Sequence, residues 1–428
     1  MLFNQTLTYI SLFSGAGVGC YGLLEEGFEC VATNEILEKR LNIQRINRKC
    51  KLDESYIIGD IKKPETKEKI LKQIGFYSKK FGNDRVDLVI ATPPCQGMSV
   101  ANHKKKNDEI KRNSLVVESI DLIKQIKPRF FILENVPSFY KTGCIDKNDN
   151  LLEIGSMIEQ NLSGDYMLYD EVINFKNFGA NSSRTRTLVI GVCKEFKDFI
   201  SALEFFPDFK QEKTLKEVIG SLKPLTWGEY DSADFYHSFR TYPKHMQEWI
   251  KDLKEGQSAF ENVQDAISDL AYLCSNEGAF ESDYLNPVQS SYQALMRKNS
   301  PKLYNHQATN HSQAALEKLK LINKEQGKEC LPKNLHGKQQ FKSTWGRLNW
   351  NKISPTIDTR FDTPSNGTNS HPELHRSITP REAARIQSFS DNYIFYGNKT
   401  SVCKQIGNAV PPLLALALGK AILKSLRK

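Results

Sequence analysis

The chain has 428 residues, 39% of them hydrophobic, and a formal net charge of +9. That is ample apolar material for a packed interior, and more length than one core needs, so two domains are expected. No run of 18 or more apolar residues occurs, the first ten residues lack a basic start followed by an apolar core, and the nine cysteines form no CxxC pair. These features speak against a membrane span, a secretory signal, a zinc site and a disulfide framework, and for a reducing cytoplasm. The basic bias is compatible with a nucleic-acid partner.

Thr8–Phe13 reads as the first strand, and Ser14-Gly15-Ala16-Gly17-Val18-Gly19 then turns into a helix through about Glu26, with Gly27 as its stop. Glycines let the backbone approach a ligand, and a helix N-terminus favours negative charge. Alone, the turn fits a nucleotide-like cofactor or a simple tight connection. Cys30–Asn34 is the second strand and ends at Glu35, about twenty residues on, a spacing suited to hydrogen bonding a ribose. Tyr56–Asp60 gives a third strand end. Asp60 is either an acceptor for an adenine amino group or a helix cap for the segment beginning at Ile61.

The fourth strand, Val86–Ala91, runs into Thr92-Pro93-Pro94-Cys95-Gln96-Gly97. The prolines end the strand and hold the thiol where open α/β sheets place their chemistry. A helix near Leu115–Ile126 follows, then the strand Arg129–Leu133, which ends in Glu134-Asn135-Val136. A thiol and a carboxylic acid are thus offered at two strand ends, where a thiolate can attack an electron-poor ring carbon and the acid can protonate the ring. Tyr166–Phe175 and Thr187–Cys193 read as further strands, with Arg184 and Arg186 between them. If extended, that segment places both guanidiniums on one face, to hold a carbonyl oxygen and a phosphate or simply to meet solvent. The alternation predicts an α/β fold with a mostly parallel, Rossmann-like sheet covered by helices on both faces.

After about Lys197 the rhythm is lost. Residues 198–345 are aromatic, charged and irregular, which suggests a separate recognition domain. His306 and His311 lie in it without Cys or Asp companions that would complete a metal site. Thr379 as N-cap and Pro380 as first residue signal a helix to Gln387. Gln405-Ile406-Gly407-Asn408-Ala409-Val410-Pro411-Pro412 opens an apolar C-terminal helix.

In this order, the glycine turn, Glu35, Asp60, Pro93-Pro94-Cys95-Gln96, Glu134-Asn135-Val136, Arg184-x-Arg186, Arg347–Ile357 and Gln405–Pro412 resemble the DNA (cytosine-5)-methyltransferases of bacterial restriction–modification systems. The resemblance covers about residues 7–195 and 345–425. It implies an S-adenosylmethionine-dependent methyltransferase sheet in residues 1–197, completed by 400–428, and a smaller irregular target-recognition domain with its hinge in 198–399. Phe13, Ser14, Gly15, Ala16, Gly17, Glu35, Ile36, Asp60, Ile61, Pro94, Asn408 and Val410 would line the S-adenosylmethionine pocket. Cys95 would attack C6 of a flipped-out cytosine. Glu134 would protonate N3, Arg186 would hold the base oxygen O2, and Arg184 would stand near phosphate or Glu134. Ser99, Asn102, Lys104, Lys105, Lys106 and Arg112 would contact DNA from a mobile loop. Two positions depart from the family pattern. Ser182 replaces a glutamine two residues before Arg184, and Ile36 replaces an aromatic that stacks on adenine.

The implied reaction is methyl transfer to C5 of a cytosine at a short specific site in double-stranded DNA, protecting host DNA. A monomer at the bacterial nucleoid, in the cytoplasm and away from membranes, is expected. A cognate restriction endonuclease acting on the same site without a stable complex is left open. A tRNA-methylating relative is weighed against by the absence of its Cys-Phe-Thr motif, and a catalytically dead binding homologue by the intact Cys95, Glu134 and Arg186. A nicotinamide-dependent dehydrogenase would explain the glycine turn and Glu35, but not the thiol–acid pair.

Overall fold

The computed structural model describes residues 6–83, 85–94, 113–196, 213–222, 281–282, 290–298, 300, 302–309, 311–323, 326–336 and 343–426. The chain divides into two compact units, Met1–Lys213 with Ala409–Lys428, and Thr214–Asn408.

The first unit is built on a seven-stranded sheet. In chain order its elements are β1 (Thr8–Leu12), α1 (Tyr21–Glu25), β2 (Glu29–Glu35), α2 (Glu38–Ile46), β3 (Tyr56–Ile58), α3 (Pro64–Phe81), β4 (Leu88–Ala91), α4 (Leu115–Ile126) and β5 (Phe130–Asn135). A small hairpin, β6 (Gly143–Ile145) and β7 (Leu151–Glu153), precedes α5 (Ile154–Leu162), β8 (Tyr166–Asn174) and β9 (Thr185–Cys193). The C-terminal helix α6 (Pro412–Leu426) completes the unit. The sheet order is β3-β2-β1-β4-β5-β9-β8. The first five strands of this series pair in parallel, and β9 and β8 return antiparallel.

β1, β4 and β5 are buried along their whole length, which is why they read as mostly apolar runs rather than alternating ones. One sheet face packs Leu23, Phe28, Phe130 and Ile132 against Leu414, Leu418 and Ile422 of α6. The other packs Ile10, Val89 and Leu133 against Ile70, Ile120, Ile123 and Ile158. Helix α6 approaches α1 so closely that a Cβ on Gly22 would stand 2.0 Å from the Pro412 carbonyl oxygen. Lys399–Leu426 is apolar enough over an 18-residue window to cross a membrane on composition alone, but 72% of that window is buried inside the molecule. α6 is a core helix.

The helix expected directly from the glycine turn begins later. Gly17 sits at φ +84°, a left-handed conformation that cannot propagate a helix, so a 3₁₀ turn at Val18–Cys20 leads into α1.

The second unit holds helices at Leu215–Ile219, Ser291–Arg297, Gln313–Leu321, Pro380–Ile386 and Lys399–Gly407. The expected Thr379 N-cap is present as a full capping box, with Glu382 reaching back to the Thr379 amide. Every residue of Pro380–Ile386 is buried, including Arg381 and Arg385. Arg376 holds Glu382 through two 2.8 Å hydrogen bonds, and Arg385 holds Asp391 through two more. His306 and His311 are buried hydrogen-bonding groups of this unit. His306 meets the Thr379 hydroxyl at 3.0 Å, and the Ser377 amide donates to His311 Nε2 at 3.0 Å.

Candidate active site

The sheet order reverses direction between β1 and β4, and in open α/β sheets a ligand binds beyond the carboxyl ends of the strands at such a point. The turn after β1 opens there. Phe13, Gly15 and Gly17 have φ of +53°, +54° and +84°. For Phe13, a non-glycine, this is strained backbone of a kind that clusters at functional sites. The Ser14 amide and hydroxyl both donate to Asn34 O at 3.0 Å, which ties the turn to the end of β2. Glu35, buried at that end, accepts from the Gly15 amide at 2.9 Å, the Leu37 amide at 3.2 Å and Arg40 at 3.2 Å. A Cβ on Gly15 would meet nothing within 4 Å, so open space lies over the turn. Ile36 is 58% exposed beside it.

Asp60 follows β3. Its Oδ1 accepts from the Lys62 amide at 3.0 Å, while the position preceding α3 is held by Lys63. The alternative reading of Asp60 as the cap of a helix starting at Ile61 is therefore corrected. It closes a local turn, and the helix starts at Pro64, whose ring presets the first turn. Ile61 is buried among the core residues of the unit, so its side chain belongs to packing.

The ends of β4 and β5 are laced together. The Thr92 hydroxyl donates to Phe13 O at 3.2 Å, and Asn135 Nδ2 donates to Pro93 O at 2.9 Å. Cys95 lies outside the described residues, as do Ser99, Asn102, Lys104, Lys105, Lys106 and Arg112. The chain enters that segment through Pro93 and Pro94, at a strand end fixed from both sides.

Glu134 is buried at the end of β5, and Arg186 Nε lies 3.1 Å from its Oε1. Strand direction explains the meeting. Because β9 is antiparallel, its first residues, not its last, lie at the carboxyl end of β5. Glu134 pairs with Leu188, and Arg186 is two residues away on the same face. Burial pushes the Glu134 carboxyl above its ordinary value of 4.5, and Arg186 and then Arg184 oppose that rise without cancelling it. Arg184 is buried just before β9, so the pair is not a solvated surface feature. Ser182, fully buried, finds no hydrogen-bond partner for its hydroxyl among the described residues.

Residues 7–424 match the family model of C-5 cytosine-specific DNA methylases. The chain belongs to this family. The type II methyltransferase M.DdeI of Desulfomicrobium norvegicum is 30% identical over 357 residues, which cover 79% of this chain and 72% of that protein. M1.HphI of Haemophilus parahaemolyticus, another type II methyltransferase, is 25% identical over 99% of this chain and 88% of its own. The crystal structure of a prophage-encoded DNA modification methyltransferase of E. coli is 24% identical and superposes with a TM-score of 0.62, covering 99% of this chain and all of that one. At that identity the likeness speaks for the fold. The chain is a DNA (cytosine-5-)-methyltransferase, EC 2.1.1.37, of a family whose methyl donor is S-adenosylmethionine.

The turn of this methylase suits such a donor. It offers left-handed glycines, space where a side chain would project, a buried carboxylate and an exposed aliphatic side chain at the neighbouring strand end. Val410 packs on Gly19, so the segment returning from the second unit reinforces the turn. Ala16 is buried beneath it. Asn408 caps the helix Lys399–Gly407 and belongs to the second unit. The sequence reading missed three supports of the methylase site: Thr92, Asn135 in its bonding role, and Gln44. The first two stood inside quoted motifs, but Gln44 lies on a polar helix with no local mark.

Proposed function

We propose that this methylase modifies C5 of a cytosine flipped out of a specific double-stranded DNA site, through a covalent bond between Cys95 and C6. The observation that carries the reading is the buried Glu134 with Arg186 against it, at a strand end tied by Asn135 to the strand that leads into Cys95. Phe13, the glycine turn, Glu35, Ile36 and Asp60 hold S-adenosylmethionine, which supplies the methyl group.

The Cys95 thiolate adds to C6, and negative charge moves into the ring towards N3. Glu134, whose burial favours its protonated form, donates its proton there. Arg186 then steadies the carboxylate and the base oxygen O2. C5 is now nucleophilic and takes the methyl group. Loss of the C5 proton to a base, departure of the Cys95 sulfur and return of the N3 proton to Glu134 restore the aromatic ring and the enzyme. The second unit, which includes most of the irregular stretch 198–345, reads the neighbouring bases. The biological role is protection of host DNA beside a restriction endonuclease.

The test is labelled-methyl transfer to DNA and to tRNA, with bisulfite sequencing of DNA from expressing cells. Cys95→Ser should abolish transfer while DNA binding survives, since a hydroxyl is a far weaker nucleophile at neutral pH. DNA carrying 5-fluorocytosine should trap the wild type, because the C5 proton needed for release is missing. Transfer by the serine variant, or transfer to tRNA alone, would overturn the proposal.

A further inference from the structure

Gln44 lies on α2, buried, and its amide is fully used. Nε2 donates to Gly15 O at 2.7 Å and to Ser14 Oγ at 2.8 Å, and Oε1 accepts from the Thr33 hydroxyl at 2.7 Å. The orientation of the amide is set from both sides. Lys49, also buried, donates to Thr33 Oγ1 at 3.1 Å. The Gly15 carbonyl only accepts, so the amide turns Nε2 to it and Oε1 to Thr33, and Lys49, which only donates, supports the Thr33 hydroxyl in giving its own proton to Oε1. Gly15 is thereby gripped at both ends of its backbone, its oxygen by Gln44 and its nitrogen by Glu35. Gly17 rests on the same side chain, for a Cβ there would come within 2.7 Å of Gln44 Cγ.

We propose that Gln44 is a positioning residue for the methyl donor, and that Lys49 and Thr33 act through it by fixing its amide. The inference rests on the reading of the glycine turn as the S-adenosylmethionine site. Ser14–Gly17 is left-handed at Gly15 and Gly17. Backbone hydrogen bonds tie Ser14 N to Asn34 O and Gly17 N to Ser14 O, and side-chain hydrogen bonds fix Gly15 between them in its binding shape. Without Gln44 the donor itself must order the turn, which weakens binding and leaves the chemistry at Cys95 and Glu134 unchanged once the site is full.

Calorimetric titration of S-adenosylmethionine into the full-length protein is the test, with steady-state kinetics and thermal midpoints beside it. Gln44→Ala should weaken donor binding roughly tenfold to hundredfold, as expected for two lost hydrogen bonds. It should raise KM for the donor alike, leave kcat at saturation within about threefold and leave donor-free DNA affinity alone. Gln44→Glu, nearly the same shape, should bind the donor no better than Gln44→Ala, because a carboxylate has nothing to donate to Gly15 O; it also serves if the alanine variant fails to fold. Lys49→Met should weaken binding in the wild type and do nothing further on the Gln44→Ala background. Wild-type donor affinity in Gln44→Ala or Gln44→Glu, a loss of kcat alone, or fully additive effects of Lys49→Met would overturn the proposal. Glu35→Ala separates the two readings. If it weakens donor binding and Gln44→Ala does not, only the positioning role falls. If neither variant does, the turn is not the donor site and both fall.

Discussion

At Glu134, desolvation and two cations pull the carboxyl in opposite directions, and desolvation wins. Burial therefore favours the protonated form of an acid that Arg186 touches, as a base that gains charge would require. Glu134→Gln should lower kcat by about 10²–10⁴-fold, the usual span for a general acid, with DNA and donor affinities little changed. Stability offers a second check. The folded value lies above the ordinary 4.5, so the stabilisation from this group is complete below that value and is lost as pH rises through the folded one. The thermal midpoint of the wild type minus that of Glu134→Gln should fall between pH 4 and neutrality, and a flat difference would show that the carboxyl titrates normally. The placement of Glu134 at a buried strand end was legible because strand-end motifs announce themselves locally, whereas Cys95 lies outside the described residues. The partnership of Glu134 with Arg186 was less so. Arg184 was expected near phosphate or Glu134 and Arg186 at the base; the register of β9 on β5 puts Arg186 against the carboxyl, with Arg184 adding a weaker pull on it.

Among the elements, α1 and α6 depend on a glycine for their spacing. A methyl group on Gly22 would overlap the Pro412 carbonyl, and a backbone oxygen in a packed helix pair cannot swing aside. Gly22→Ala should thus cost about 1–3 kcal/mol through overpacking, despite alanine's better helix propensity. Denaturant unfolding would measure it, and a neutral or stabilising result would mean that the helices separate freely. Nothing local announces this contact, because the partners are some 390 residues apart. Strands β1, β4 and β5 were legible because both faces are buried and their residues are mostly apolar. The hairpin β6–β7 was not, since three-residue strands with alternating, half-exposed side chains leave no pattern to find.

On the scale of the molecule, the second unit carries charge inside. Arg376, Arg381 and Arg385 are fully buried, so these charged side chains are internal struts. Two buried histidines sit near them. Burial, with Lys399 adding repulsion, pulls His311 down to about 4, and burial with Arg376 pulls His371 down to about 3. Both bind a proton more readily when unfolded, so their stability is present above about 6.5 and is lost as pH falls towards those values. Burial alone would raise Glu382, but Arg376 holds it at about 2, and its contribution is lost in turn below about 4.5. Thermal unfolding should accordingly show a midpoint that declines from pH 6.5 downward, with His311→Gln flattening the upper part of the slope. An unchanged slope in that variant would clear His311 of the effect. The buried arginine network was not legible in the sequence, because periodicity cannot tell a strut from a solvated charge.

The pairing of α1 with α6 also sets a timetable for synthesis. The first unit's sheet is encoded before Lys213, but the helix that covers one of its faces comes after roughly 200 intervening residues of the second unit. At synthesis speeds of about 5–20 residues per second, that interval lasts roughly 10–40 s. During it, Leu23, Phe28 and Phe130 wait without Leu414, Leu418 and Ile422. A ribosome stalled inside the second unit therefore leaves behind a nascent sheet with one bare apolar face, fit for chaperones or proteases rather than for chemistry on a genome.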